Sequence, residues 1–164
     1  MHGSKAGLGS EHPYCDTIQF AMIILFFAVW SIDISSHLIF GVSTIIIEIL
    51  SFPLLVFPAI LVLGLGIYLV AKSHETIFGE SGLQPCLVDS GVYSKVRHPM
   101  YLGTLMLCLG FLFIIPSLLS LGIWVIFFLF FDKMATYEEK DLTKKLGDQY
   151  IKYKKRVGKW LPKI

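Results

Sequence analysis

The apolar residues of this chain are gathered into long blocks separated by short polar segments. The blocks cover Thr17 to Phe40, Pro53 to Ala71 and Tyr101 to Phe131, and Pro116 interrupts the third. A helix of about 20 apolar residues crosses the hydrocarbon layer, so the first two blocks each predict one span. The third block is too long for one span and is split by proline, which predicts a helical hairpin. We therefore expect four transmembrane helices, at about residues 17–40, 53–72, 100–115 and 117–133.

The remaining segments predict the rest of a single domain, residues 17–164. Residues 1–16 are rich in glycine and predict a mobile N-terminal lead. Residues 73–99 predict a long polar loop. Between the first two spans, residues 43–52 are too short to cross the membrane, and the sequence leaves open whether they form a separate segment or extend the second helix.

Residues 134–164 predict a short amphipathic helical tail. Apolar residues recur there every three to five positions, and Gly147 is expected to divide the tail into two short helices. The stripe consists of Tyr137, Leu142, Leu146, Tyr150, Tyr153 and Val157. The polar face carries lysines that suit an anionic inner leaflet, namely Lys144, Lys145, Lys152, Lys154 and Lys155.

Composition supports a membrane protein. The apolar fraction of 55% and the mean hydropathy of +0.70 are too high for a soluble domain of 164 residues. The first apolar block is too long for a cleavable signal peptide and is interpreted as a permanent span. Cys15, Cys86 and Cys108 are widely separated, so they predict neither a disulfide framework nor a metal site. The fold class is therefore an all-α integral membrane protein.

The charge distribution predicts the orientation. With four crossings, all 14 Lys and Arg residues fall on the side that holds both termini, which the positive-inside rule assigns to the cytoplasm. The membrane would be the cell membrane in a prokaryote and the endoplasmic reticulum in a eukaryote. The net charge of +2 does not suggest a nucleic-acid partner. The expected partners are the lipid bilayer and a small molecule.

Two features inside the spans have structural interpretations. Asp33 and His37 share one helix face near the outer end of the first span, which favours a wet interfacial pair over a functional site. Gly64 and Gly66 favour close packing between helices.

The polar stretch GVYSKVRHPMYLG, Gly91 to Gly103, precedes the hairpin and carries the candidate chemistry. Pro99 predicts the start of the third helix, with Arg97 and His98 in the preceding turn. Free amides at that helix start and the Arg97 guanidinium can attract a carboxylate or phosphate. Taken singly, Arg97 also fits a positive-inside anchor and Tyr101 an interfacial belt residue. Directly after the hairpin, Glu138 and Glu139 form an adjacent carboxylate pair suited to a cationic ligand, although a solvated helix end explains them equally well.

This arrangement resembles the membrane methyltransferase family that includes isoprenylcysteine carboxyl methyltransferases and phospholipid methyltransferases. The resemblance covers about half the chain, Asp89 to Pro162, through the Arg-His-Pro-x-Tyr element, the Glu-Glu pair and a Leu-Gly-x-x-Tyr-x-x-Tyr tail. It implies an enzyme that uses S-adenosylmethionine, with Arg97 and Glu139 as catalytic residues. The implied cofactor-binding residues are Ser90, Gly91, Val92, Tyr93, His98, Tyr101, Glu138 and Glu139.

The implied acceptor is a lipid-borne or small apolar nucleophile, such as a prenylcysteine-like carboxylate, a phospholipid amine or a thiol. Relatives often carry an Arg one turn before the Glu pair, where this chain has Met134. An anionic substrate would then need Lys133 or Arg97 in its place. A carboxylate or thiolate needs no general base, whereas an amine would need His98 or Glu139 to accept its proton.

The chemistry of the donor fits these residues. A Glu side chain could pair with its ammonium group, and the Tyr101 ring could lie near its sulfonium. Two other functions stay open. A non-catalytic scaffold would bind anionic headgroups through Arg97 and the tail lysines, and a sterol reductase-like enzyme would require NADPH.

Overall fold

The computed structural model describes residues 15–40, 52–79 and 87–163, with side chains for 17–36, 54–77 and 87–163. Within these ranges the chain is helical and contains no β-strand, as predicted. The helices are α1 Cys15–Phe40, α2 Phe52–Gly79, α3 Pro99–Ile114, α4 Leu118–Leu146 and α5 Asp148–Arg156, with a 3-10 helix at Gly91–Ser94. Residues 1–14 of the predicted lead, the segment 43–51 and Cys86 lie outside the described residues, whereas the last two residues of that lead, Cys15 and Asp16, begin α1.

Three of these helices are long and apolar enough to cross a membrane. The apolar stretches are Thr17–Ser36 in α1, Leu54–Ile77 in α2 and Leu118–Leu146 in α4. This confirms an integral membrane protein. The fourth predicted span corresponds to α3, which has 16 residues. At about 1.5 Å per residue it is shorter than the hydrocarbon layer, so its complete crossing stays a prediction.

The predicted hairpin is formed by α3 and α4. The turn between them contains Pro116, and Ser117 caps α4 by accepting a hydrogen bond from the Ser120 amide at 3.1 Å. The cap satisfies one of the amides that the first turn of a helix leaves without a partner.

The helix ends differ from the prediction in two places. Residues 73–79 of the predicted loop are helical, because α2 continues to Gly79 without an intervening breaker. The tail was predicted to contain two short helices, but α4 continues unbroken from Leu118 to Leu146. Only α5 is separate, and Gly147, at φ +55°, makes the predicted break.

Glycines allow α2 and α3 to approach closely. A Cβ atom on Gly103 would lie 2.9 Å from the Gly66 carbonyl oxygen, and one on Gly110 would lie 2.5 Å from Leu63 Cγ. The packing role predicted for Gly66 is therefore confirmed. A Cβ on Gly64 would meet no heavy atom within 4 Å, so that glycine lies outside the described contact.

The other helices meet in an aromatic core. Phe26 of α1, Leu105 of α3, and Phe127 and Phe131 of α4 are buried in it. Asp33 is only 7% exposed, so the expectation of a wet interfacial side chain is wrong for this residue. The side chain of His37 lies outside the described part. The core packs the hairpin of α3 and α4 against α1.

Candidate functional site

The C-terminal end of the chain pairs with the segment that leads into α3. Val96 and Gly158 form a parallel β-bridge, and the Arg97 amide donates to the Gly158 carbonyl oxygen at 2.9 Å. Two segments about 60 residues apart in the sequence are thereby held side by side. This pairing brings α5 over the start of α3.

Pro99 is the first residue of α3 and His98 precedes it as the N-cap residue, as predicted. Proline has no amide hydrogen to leave without a partner in a first helical turn. The rings of His98 and Tyr101 stack with their centres 5.9 Å apart. Tyr101 also stacks on Phe131 of α4 at 4.5 Å, and its hydroxyl donates to Glu138.

Glu139 is the centre of the charged cluster. Its Oε1 atom accepts from Arg97 Nε at 2.9 Å and lies 2.8 Å from Arg97 Nη2 and 3.2 Å from His98 Nε2. Its Oε2 atom lies 2.9 Å from Lys154 Nζ. The carboxylate is almost fully buried. A buried charge is tolerated when it is paired, and here two cations stabilise the ionised form.

The Arg97 guanidinium binds both a carboxylate and two backbone carbonyl oxygens. Besides Glu139, its Nη1 atom donates to the carbonyl oxygens of Val157 at 2.6 Å and Lys154 at 3.1 Å. The side chain is 7% exposed. These contacts link the tail to Glu139 through the Arg97 guanidinium.

Glu138 lies on the other side of His98. One of its oxygens accepts from Tyr101, and Oε2 lies 3.6 Å from His98 Nδ1. The Glu138 side chain is 13% exposed and Glu139's is 4% exposed. The two adjacent carboxylates therefore flank both nitrogens of one imidazole.

Burial lowers the pKa of His98, and the cations of Lys159 and Arg97 lower it further, against the opposite effect of Glu139. The neutral ring carries one N–H group. From the hydrogen-bond network we assign that hydrogen to Nε2, which contacts the ionised Glu139. The assignment makes Nδ1 the basic nitrogen, on the side of Glu138.

The residues before this turn are held by α2 and α5. Gly91 has φ +54°, and a Cβ there would lie 3.2 Å from Thr76 Oγ1. Val92 is buried and Ser90 is exposed. The Tyr93 carbonyl oxygen accepts from the Tyr153 hydroxyl at 2.7 Å.

The side chain of Tyr93 points into the same region. Burial raises the pKa of its phenol, a hydrogen bond with Ser73 opposes the rise, and Glu138 adds a smaller increase. Tyr93 is thus close enough to Glu138 for that carboxylate to affect the pKa of the phenol. Of the predicted site residues, the structure brings Arg97, His98, Tyr101, Glu138 and Glu139 into direct contact, and places Ser90 to Tyr93 beside them.

Sequence reasoning missed the contribution of the tail cations. It assigned Lys154 to the lipid surface, although Lys154 reaches Glu139. The signal was present, because Lys154 follows Tyr150 by four residues and precedes Val157 by three, next to the apolar stripe of α5. A residue at that position lies on the inner side of the helix.

A second group that the sequence did not predict surrounds Asp132, which lies on α4 about two helical turns before Glu139. Lys159 Nζ lies 2.5 Å from Asp132 Oδ1, which also accepts from Trp160 Nε1 at 2.9 Å. The Trp160 ring is 6.0 Å from the His98 ring. Nearby, Met134 is half-buried and Lys133 is exposed. This group places an aromatic side chain against the imidazole.

Comparisons with known proteins address the family to which the chain belongs. The phospholipid methyltransferase family model matches residues 37–149. The protein-S-isoprenylcysteine O-methyltransferase of Saccharomyces cerevisiae is 39% identical over 79 residues, which are 48% of this chain and 33% of that protein. The methanethiol S-methyltransferase of Pseudomonas deceptionensis is 33% identical over 123 residues, 62% of this chain and 43% of that protein.

The chain therefore spans less than half the length of these relatives. The family match covers more than half of the chain and includes the start of α3 and both carboxylates. This confirms the resemblance found in the sequence. The chain belongs to the phospholipid methyltransferase family.

Proposed function

We propose that this protein transfers a methyl group from S-adenosylmethionine to a lipid-borne or small apolar nucleophile at the membrane face. The observation that carries the proposal is the contact of Glu138 and Glu139 with the turn Arg97 to Tyr101. Family membership supports the reaction class, as do the names of relatives that are O- and S-methyltransferases.

The chemistry of the residues fits a cationic methyl donor. S-adenosylmethionine would supply a methyl group on a positively charged sulfur. Glu138 has the anionic group that an ammonium requires, and its side chain is partly accessible. Glu138 is the more accessible of the two carboxylates, 13% exposed against 4% for Glu139, so we assign the ammonium to Glu138.

Tyr101 has a different role from the one expected. Two rings already stack on it, so we assign its hydroxyl to the site rather than its ring face. The hydroxyl donates to Glu138 and holds that carboxylate in place. Arg97 does the same for Glu139, so we propose a positioning role for Arg97.

His98 is the better general base for an amine acceptor. Two cations bind Glu139 and weaken it as a proton acceptor, whereas Nδ1 of the neutral His98 is basic. A carboxylate or thiolate acceptor would need no base. For such an anion, the buried surroundings of His98 favour a reaction that neutralises charge over the separated ions.

Calorimetry on detergent-purified protein tests donor binding. We expect the wild type to bind S-adenosylmethionine and Glu138→Gln to bind about 10- to 100-fold more weakly, the effect of losing a charged hydrogen bond. Glu75→Gln is the matched control, because Glu75 is exposed and pairs only at the surface with Lys72. Absence of binding by the wild type would refute the proposal.

Labelled donor identifies the acceptor. The protein is incubated with prenylcysteine, phosphatidylethanolamine and thiol acceptors, and the labelled product is determined. A phospholipid product that disappears in His98→Gln would support the general base. A purely scaffolding protein would label none of them, and a nicotinamide enzyme would instead respond to titration with NADPH.

The proposed topology has four crossings, with both termini in the cytoplasm. The three long apolar helices and the apolar α3 support it. Single cysteines placed in the tail at Lys152 and in the α3–α4 turn at Pro116 test it by labelling with an impermeant reagent in sealed cells. Labelling of both positions from the same side would refute it.

A further inference from the structure

Lys154 joins both members of the buried ion pair. Its Nζ atom lies 2.9 Å from Glu139 Oε2, and its carbonyl oxygen accepts from Arg97 Nη1 at 3.1 Å. The side chain is 48% exposed, yet its end reaches a carboxylate that is 4% exposed. Lys154, a residue of the tail, therefore contacts both the Glu139 carboxylate and the Arg97 guanidinium, which belong to two other segments.

The position of Lys154 is fixed by the packing of α5. Tyr150, Tyr153 and Val157 are buried together, with Leu87 and Leu146 packed against them. The Tyr153 hydroxyl is further bonded to the carbonyl oxygen of Tyr93. Because α5 is anchored on both sides of Lys154, the backbone of Lys154 is held where its ammonium reaches Glu139.

The oxygens of Glu139 are divided between different partners. Oε1 contacts Arg97 and His98, whereas Oε2 contacts Lys154. Lys154 thus offsets part of the negative charge of the carboxylate whose Oε1 atom faces His98 Nε2. Loss of the lysine would free Oε2 and leave more negative charge facing the imidazole.

We propose that Lys154 is a positioning residue that acts through Glu139 on His98. By pairing with Oε2, it limits the negative charge that Glu139 presents to His98 Nε2. Its importance for catalysis rests on the proposed function, but its effect on His98 is independent of any methyl transfer.

The charged and titratable groups around His98 come from every segment packed against it. They are Glu138 and Glu139 of α4, Tyr101 of α3, the adjacent Arg97, and Lys159 of the tail. All of them remain when Lys154 alone is replaced. A change in the His98 titration therefore reports the lost lysine charge.

The test is a pH titration of His98 by NMR, with histidine labelled with nitrogen-15 and the protein in detergent micelles. His98→Gln assigns the signal. Lys154→Met is expected to raise the pKa of His98 by about one unit, the lower end of the effect of a nearby charge, since Lys154 acts through Glu139. Lys154→Arg is expected to restore the wild-type value. Lys152→Met, an exposed position on the same helix, is the matched control.

An unchanged His98 titration in Lys154→Met would overturn the proposal, as would an equal shift in Lys152→Met. Should Lys154→Met fail to fold, Lys154→Gln keeps a polar group of similar reach and is expected to raise the pKa in the same direction. If the protein did not bind S-adenosylmethionine, the proposed function would fail while this titration would still report on Lys154.

Discussion

Two contacts in this molecule are made in different ways. Between α2 and α3, glycines remove side chains so that two backbones meet, and Gly103 lies against Gly66. Between α3, α4 and α5, single polar side chains each bind several partners, with Glu139 contacting Arg97, His98 and Lys154. The first contact depends on volume and the second on charge.

The difference follows from the surroundings of each contact. Helices in lipid gain little from the hydrophobic effect, so close backbone packing stabilises their association. At the site, buried charges are costly and stabilise the fold only while every partner is present. A substitution that removes a charge but keeps the volume should therefore destabilise the site most. A substitution that adds volume without changing the charge should destabilise the contact between α2 and α3 most.

The largest expected effect is that of Glu139→Gln. The volume is kept, but Arg97 is left as a buried cation without its carboxylate, which destabilises by about 3–5 kcal/mol. Unfolding in mixed detergent micelles measures the free energy. Glu75→Gln, which removes an exposed pair, should change it by less than about 1 kcal/mol. Equal effects of the two variants would contradict the charge-based account of the site.

A smaller difference in the free energy of unfolding is expected when two glycine substitutions are compared. Both Gly103→Ala and Gly64→Ala add one methyl to α2 or α3, but only the first would meet backbone, at 2.9 Å. Overpacking should make Gly103→Ala less stable than Gly64→Ala by about 1–3 kcal/mol. The same unfolding measurement compares them. Equal stability would mean that the helix contact does not depend on volume.

A single neutral hydrogen bond should matter less. Tyr153→Phe removes the hydroxyl that donates to the Tyr93 carbonyl, at a cost of about 0.5–1.5 kcal/mol. Tyr68→Phe on the exposed face of α2 is the matched control. If Tyr153→Phe were as stable as the control, this bond would not fasten α5 to the site.

The smallest expected effect is a pH dependence that comes from His98. Its folded pKa lies below its ordinary value of about 6.5, so the unfolded chain binds more protons in the window between the two values. Stability should therefore fall as the pH is lowered through that window. Unfolding at pH 7.5 and 5.5 measures the difference, and His98→Gln should reduce it. A stability that rises on acidification in the wild type, relative to His98→Gln, would contradict a neutral imidazole.

Local signals in the sequence predicted most of the helices. Pro99 marked the start of α3 because proline fits a first turn, and Gly147 marked the break before α5. The end of α4 was misjudged because polarity was taken as the end of the helix. No residue between Phe131 and Leu146 breaks a helix, so α4 continues beyond its apolar part.

The site was only partly predictable. Motif resemblance brought His98, Tyr101 and the two carboxylates together, and the structure shows the contacts. The pairing of Lys154 with Glu139 depends on how α5 folds back after Gly147. Spacing gives the face of α5 on which Lys154 lies, but it does not give the partner, because that contact is formed only by the tertiary fold.

The assignment of the methyl donor to the carboxylate pair is tested most directly by calorimetry, which measures the binding of S-adenosylmethionine to three folded proteins. Gly103→Ala, which adds a methyl group at the contact between α2 and α3, is expected to bind like the wild type when folded, whereas Glu138→Gln is expected to bind about 10- to 100-fold more weakly. Equal binding by Glu138→Gln and the wild type, or no binding by either, would contradict the assignment of the donor to the carboxylate pair.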